Sequence, residues 1–83
     1  MIKKLPLFTY DIGVASALIS KGYQIENIDR KNPKKALFKF YSSESIQNTM
    51  EQYWKDDLKI NARTLLDNLK MLKNRLYSQN ICN

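Results

Sequence analysis

The chain has 83 residues, enough for one domain and no more, and a domain of that size buries only about 60–65% of its unfolded surface, so its margin of stability is thin. Histidine is absent, which excludes Ser-His-Asp and Cys-His nucleophile systems and every histidine metal site. Gly13 and Gly22 are the whole glycine complement, too far apart for a phosphate-cradling loop, and the single Cys82 excludes an internal disulfide and fits a reducing compartment.

A hydrophobic fraction of 43% and nine aromatic residues indicate a folded chain. Near the N-terminus, Leu5 to Phe8 reads as a short edge strand or an extended arm, because Pro6 cannot donate to a central ladder. Thr9 or Asp11 then caps a helix over residues 11–21. Ile12, Ala15 and Ile19 share one side of it, and Gly22 follows as the residue that closes its end. Residues 23–28 read as a strand and residues 36–41 as the clearest strand. In the second of these, Ala36, Phe38 and Phe40 point one way and Leu37, Lys39 and Tyr41 the other. The Asn32-Pro33 turn between them predicts an antiparallel hairpin.

Ser42 or Ser43 caps a second helix, with Glu44 in its first turn. Ile46, Met50, Tyr53 and Trp54 fall at i, i+4, i+7 and i+8, one apolar stripe. The adjacent Asp56 and Asp57 mark its end, and residues 58–60 alternate as a third short strand or an extended link. Residues 61–77 form the longest periodic segment, with Leu65, Leu69, Leu72 and Leu76 in one seam and Arg63, Asp67, Lys70 and Asn74 opposite. Residues 79–83 read as a frayed tail.

These elements predict one α+β domain over residues 1–83, a small antiparallel hairpin sheet packed against about three helices in the order β-α-β-β-α-β-α. The expected core is Ile12, Leu18, Ile19, Ile25, Phe38, Phe40, Ile46, Met50, Trp54, Leu65, Leu69, Leu72 and Leu76. The apolar run at the N-terminus is too short for a secretory leader and no stretch approaches a membrane span, so a cytoplasmic protein is expected.

The net charge of +6 is unevenly spread. Arg30, Lys31, Lys34, Lys35 and Lys39 place five positive charges within residues 30–39, with no acid among them, while the rest of the chain holds nine basic and eight acidic groups. Charge concentrated in this way attracts polyanions, although a solvated lysine-rich loop would look the same in sequence. Lys39 and Tyr41 on one strand face suit single-stranded nucleic acid, whose bases stack on rings while lysines hold phosphates. Arg63 and Lys70 give the long helix a basic stripe that Asp67 interrupts. No general acid and base converge anywhere, so an enzyme is not expected, and neither is a metal or cofactor.

Several blocks carry a resemblance. They are Tyr10-Asp11-Ile12-Gly13 with the run from Ala15 to Tyr23, Ile28-Asp29-Arg30, Asn32-Pro33-Lys34-Lys35, Leu37-Phe38-Lys39-Phe40, Tyr53-Trp54, Asn61-Ala62-Arg63 and the run from Leu69 to Ser78. Over nearly the whole chain they resemble a small uncharacterised family of Gram-positive bacteria and their phages, known only as a domain of unknown function. The resemblance implies a free-standing domain, often carried by a mobile element, and brings no site residues. It raises phage-type roles, including inhibition of host defence.

The sequence therefore supports a non-enzymatic, basic, nucleic-acid-associated protein binding through Arg30, Lys31, Lys34, Lys35, Lys39, Tyr41, Arg63 and Lys70. The alternative is a phage-type inhibitor of a host defence system, anti-CRISPR-like, or an adaptor. It would meet an acidic or nucleic-acid-binding surface of its target, or anchor through Tyr53 and Trp54. A homodimer sealed by the long helix is a third outcome.

Overall fold

The computed structural model describes residues 7–32 and 34–81, the last four of these as backbone alone. The order is β1 (Leu7–Thr9), α1 (Ile12–Ser20), β2 (Ile25–Asp29), β3 (Leu37–Phe40), α2 (Glu44–Trp54) and α3 (Ala62–Ile81). The three strands form one antiparallel sheet in the order β1-β3-β2, so β3 is central and β1 lies at an edge, as its sequence predicts. Helices pack on one face of this sheet, and the fold class is α+β.

Local chemistry sets the element ends. Asp11 caps α1, its Oδ1 accepting from the backbone N–H of Gly13 (2.8 Å) and Val14 (3.3 Å). At the other end, Gly22 N–H donates to Ile19 O and Tyr23 N–H to Leu18 O, with Gly22 at φ 100. That pair of hydrogen bonds with a left-handed residue is the helix stop a glycine provides. Ser43 caps α2 by accepting from Ser45 N–H. Its far end repeats the stop of α1, with Asp56 N–H to Tyr53 O and Asp57 N–H to Gln52 O, but here Asp56 holds the left-handed position at φ 63. The paired aspartates thus end a helix, as expected.

The core lies between the sheet and the helices. Leu7, Val14, Ala15, Leu18, Phe38, Phe40, Ile46 and Leu72 are buried in one cluster. Ile12, Ile19, Ile25, Met50 and Leu76 pack against it. Ile25 and Ile28 both turn inward, although three residues apart, because a register shift after Ile25 inserts one residue into β2. Tyr23 stands before the strand, and its hydroxyl bonds Ser45 Oγ (2.8 Å) and Thr49 Oγ1 (3.0 Å), fastening α2 to the β2 side.

Three expectations are corrected. Trp54 is 61% exposed, not core. The inward stripe of α2 is Ile46, Thr49, Met50 and Tyr53, and the helix ends at Trp54, one position past that stripe. Residues 58–60 are a connection, not a strand: Leu58 and Ile60 are half-buried and line a cleft with Ala17, Tyr53 and Leu65 on the helical side, and the sheet holds only β1, β3 and β2 among the described residues. The order is therefore β-α-β-β-α-α. The last helix runs to Ile81, past the expected end at Tyr77, while Cys82, Asn83, Leu5, Pro6 and Pro33 lie outside the described residues. Its seam is as predicted: Leu72 is fully buried and Leu65, Leu69 and Leu76 half-buried, with Arg63, Asp67, Lys70 and Asn74 exposed.

Candidate functional site

With the helices on one side, the other face of the sheet is left open, which an antiparallel sheet tolerates. Pairing decides what stands there. Phe38 and Phe40 on β3 point to the core, so Leu37 and Lys39 point outward, and Tyr41 continues that alternation beyond the strand. In the β1 ladder Leu7 pairs with Phe40 and Thr9 with Phe38, so the intervening Phe8 stands beside Lys39 on the open face. In the β2 ladder Asn27 pairs with Lys39 and Asp29 with Leu37. The central row is thus Phe8, Lys39 and Asn27, with Leu37 and Asp29 in the row below.

Three aromatic rings are exposed here: Phe8 at 47%, Tyr10 at 57% and Tyr41 at 55%. Two of them carry a lysine. The Lys39 ammonium lies 5.5 Å from the Phe8 ring centroid, and that of Lys35 lies 5.2 Å from the Tyr10 ring centroid. Each contact contributes only about 0.5–1 kcal/mol at an exposed site. Below them Tyr10, Asp29, Lys31, Asn32, Lys35 and Leu37 bound a hollow of about 220 Å³. The turn beside it is built by its own polar groups. Lys31 N–H donates to Asp29 Oδ1 (2.9 Å), Lys34 N–H to Asn32 Oδ1 (2.9 Å) and Lys35 N–H to Asn32 O (3.2 Å).

Of the residues expected to bind, Lys31, Lys34, Lys35 and Lys39 collect at the turn and on the open face, and Tyr41 lies at the opposite end of β3. Arg30 does something else. Its Nη1 donates to the Leu76 carbonyl at 2.7 Å, tying the strand end to α3. Arg63 and Lys70 are exposed on the helical layer, and Arg63 lies about 20 Å along α3 from the Leu76 carbonyl that marks the basic end. The structure does not bring either to the sheet face. Phe8 and Tyr10 were missed in the sequence. Their signal was the alternation of Leu7, Phe8, Thr9 and Tyr10 once β1 is known to pair with β3.

On the helical side Trp54 borders a second cleft, of about 440 Å³, with Ala17, Tyr53, Asp56, Leu58, Ile60 and Leu65. Its ring stands edge-on to Tyr53, at 5.1 Å and 89°. Among the described residues no group of three or more His, Cys, Asp or Glu side chains could hold a metal ion, and no helix is long and apolar enough to cross a membrane.

Residues 7–78 match the family described as Domain of unknown function (DUF5659). The chain belongs to this family. No curated protein and no solved structure matches it. The DUF5659 match spans every element from β1 through most of α3, so both the open face and the Trp54 cleft lie within the family domain.

Proposed function

We propose that this DUF5659 domain is a non-enzymatic binding protein that holds single-stranded nucleic acid on the open face of its sheet. One observation carries the reading: Phe8, Tyr10 and Tyr41 stand exposed on the side of the sheet that also bears Lys35 and Lys39. A face kept only for solubility has no use for three rings, and a patch of this kind on a small domain marks an interaction surface. Bases stack on the rings, and the flexible lysine stems swing their ammonium groups to the phosphates. The extended stretch from Leu37 through the end of β3 to Tyr41 rises about 13 Å, room for a short run of nucleotides. Arg30, Arg63 and Lys70 stand outside this surface.

Fluorescence anisotropy with labelled single-stranded DNA and RNA tests the reading. Phe8→Ala/Tyr41→Ala removes two stacking platforms, each contributing about 1–3 kcal/mol, so affinity drops roughly five- to 150-fold per base lost. Lys34→Glu/Lys35→Glu lowers it for DNA and RNA alike. Variants that bind as the parent does would sink the idea.

A second reading is favoured by Trp54. Tryptophan is among the strongest anchors of protein interfaces, and here it is exposed beside a cleft of mixed polar and apolar lining. In that reading the protein is an inhibitor or adaptor of phage or mobile-element origin, directed at a host defence system. Pull-down from nuclease-treated host lysate separates the two. A stoichiometric partner that is lost with Trp54→Ala and kept with Lys34→Glu/Lys35→Glu supports the inhibitor. Recovery of nucleic acid alone from untreated lysate supports the first reading. A prophage or defence-locus neighbourhood supports the proposed origin.

A further inference from the structure

The hollow at the foot of the open face contains a group that phosphate binding does not explain. Lys31 and Lys35 line it, but so does Asp29, which pairs with the outward-facing Leu37 and whose Oδ1 is held beside the turn by Lys31 N–H. A phosphate placed there would meet that carboxylate at close range, and like charges repel. What the hollow calls for instead is a flat, neutral group with hydrogen-bond donors on one edge and acceptors on another. Tyr10 supplies a ring for it to stack on once the Lys35 ammonium swings off that ring, and Leu37 adds an apolar side chain to the lining. The volume of about 220 Å³ corresponds to roughly seven waters at ~30 Å³ each, space for one nucleobase.

We infer that this hollow seats a single guanine of the bound strand, with Asp29 reading its Watson–Crick edge. Guanine alone offers two adjacent donors there, N1–H and the N2 amino group, to the two oxygens of a carboxylate. Asp29 Oδ1 already accepts from Lys31 N–H, and a carboxylate oxygen has a second lone pair for the base. Adenine and cytosine present one amino donor beside a ring-nitrogen acceptor, whose lone pair faces the carboxylate. Uracil and thymine flank their single N–H with two carbonyl oxygens. Each is disfavoured by a repulsive contact as well as by a lost bond. On the other edge of guanine, O6 and N7 accept from a lysine ammonium, which Lys31 or Lys35 provides. This inference rests on the single-strand reading above and adds base selectivity to it.

The test is anisotropy titration of the full chain with three labelled, uridine-rich single-stranded RNAs that carry one central guanosine, adenosine or inosine. The parent binds the guanosine strand about tenfold or more tighter than the adenosine strand, the discrimination a bidentate base contact provides. Inosine lacks the N2 amino group and falls between them, a readout that needs no protein variant. Asp29→Asn keeps an oxygen to accept from Lys31 N–H, so the turn survives, as an unchanged melting temperature checks. In this variant the preference shrinks to within about twofold, while affinity for the adenosine strand holds or rises. Equal binding of the three strands by the parent overturns the guanine assignment and leaves the single-strand reading standing. A guanosine preference undiminished in Asp29→Asn overturns the role of Asp29. Binding to none of the strands overturns both readings.

Discussion

Salt dependence is the sharpest quantitative consequence of the open-face arrangement. On single strands, log K falls with log salt by about 0.7 for each phosphate neutralised. On a uridine-only strand, which offers Lys31 and Lys35 no guanine to hold, Lys31, Lys34, Lys35 and Lys39 engaging one phosphate each give a slope of about −2.8, or a loss of roughly 50-fold between ~50 and ~200 mM salt. Lys35→Gln/Lys39→Gln removes the two lysines that lie over Tyr10 and Phe8. The slope then falls to about −1.4, and the same salt step costs only about sevenfold. Stability falls by at most about 1–2 kcal/mol, because each of the two lysines gives up one exposed cation–π contact of about 0.5–1 kcal/mol. Arg63→Gln/Lys70→Gln removes the same charge from the helical layer, and its slope stays at the parent value. Anisotropy titrations at four salt concentrations read all three slopes. An unchanged slope in the Lys35/Lys39 variant, or an equal loss in the Arg63/Lys70 variant, refutes the assignment of the phosphate track to the sheet.

Other consequences concern the fold. Asp56→Gly relieves a left-handed backbone at φ 63 and raises stability by about 0.5–1 kcal/mol, seen as a melting temperature higher by a few degrees. Trp54→Ala costs under about 1.5 kcal/mol in a urea titration, because an exposed ring loses little beyond its edge-on contact with Tyr53; a loss of 3–5 kcal/mol would put Trp54 back in the core. Leu72→Ala removes a fully buried anchor and costs about 2–5 kcal/mol, enough to leave much of so small a domain unfolded at 37 °C by circular dichroism. Tyr23→Phe deletes the hydroxyl shared with Ser45 and Thr49 and lowers stability by about 1–2 kcal/mol, checked by denaturant midpoint.

Periodicity and end signals carried most of the architecture. The leucine seam of α3, the inward pair Phe38 and Phe40, the caps at Asp11 and Ser43 and the stop at Gly22 are each local, and local chemistry is legible in sequence. What was not legible depends on neighbours far along the chain. The inward turn of Ile28 depends on a bulge fixed by pairing with β3. The seat of the Tyr53 hydroxyl depends on Gly13 of α1, where a Cβ would lie 3.0 Å from it. The basic segment was visible as a run of charge, but its division was not. Arg30 serves the fold at Leu76, whereas Lys35 and Lys39 serve the open face.

The two sides of β3 show why stability and the proposed binding can be altered separately. Alternate residues of one short strand serve opposite purposes: Phe38 and Phe40 close the core, while Leu37 and Lys39 face outward. With the helices on the other side, the open face contributes little apolar burial, and substitutions at Phe8, Lys39 or Tyr41 leave the core cluster intact. A thin domain usually cannot spare three aromatic residues from its core. Here it can, because Leu72 and the half-buried leucines of α3 complete the far side of that core. The long helix thus acts on the proposed site without touching it: by sealing one face of the sheet, it frees the other for rings and lysines.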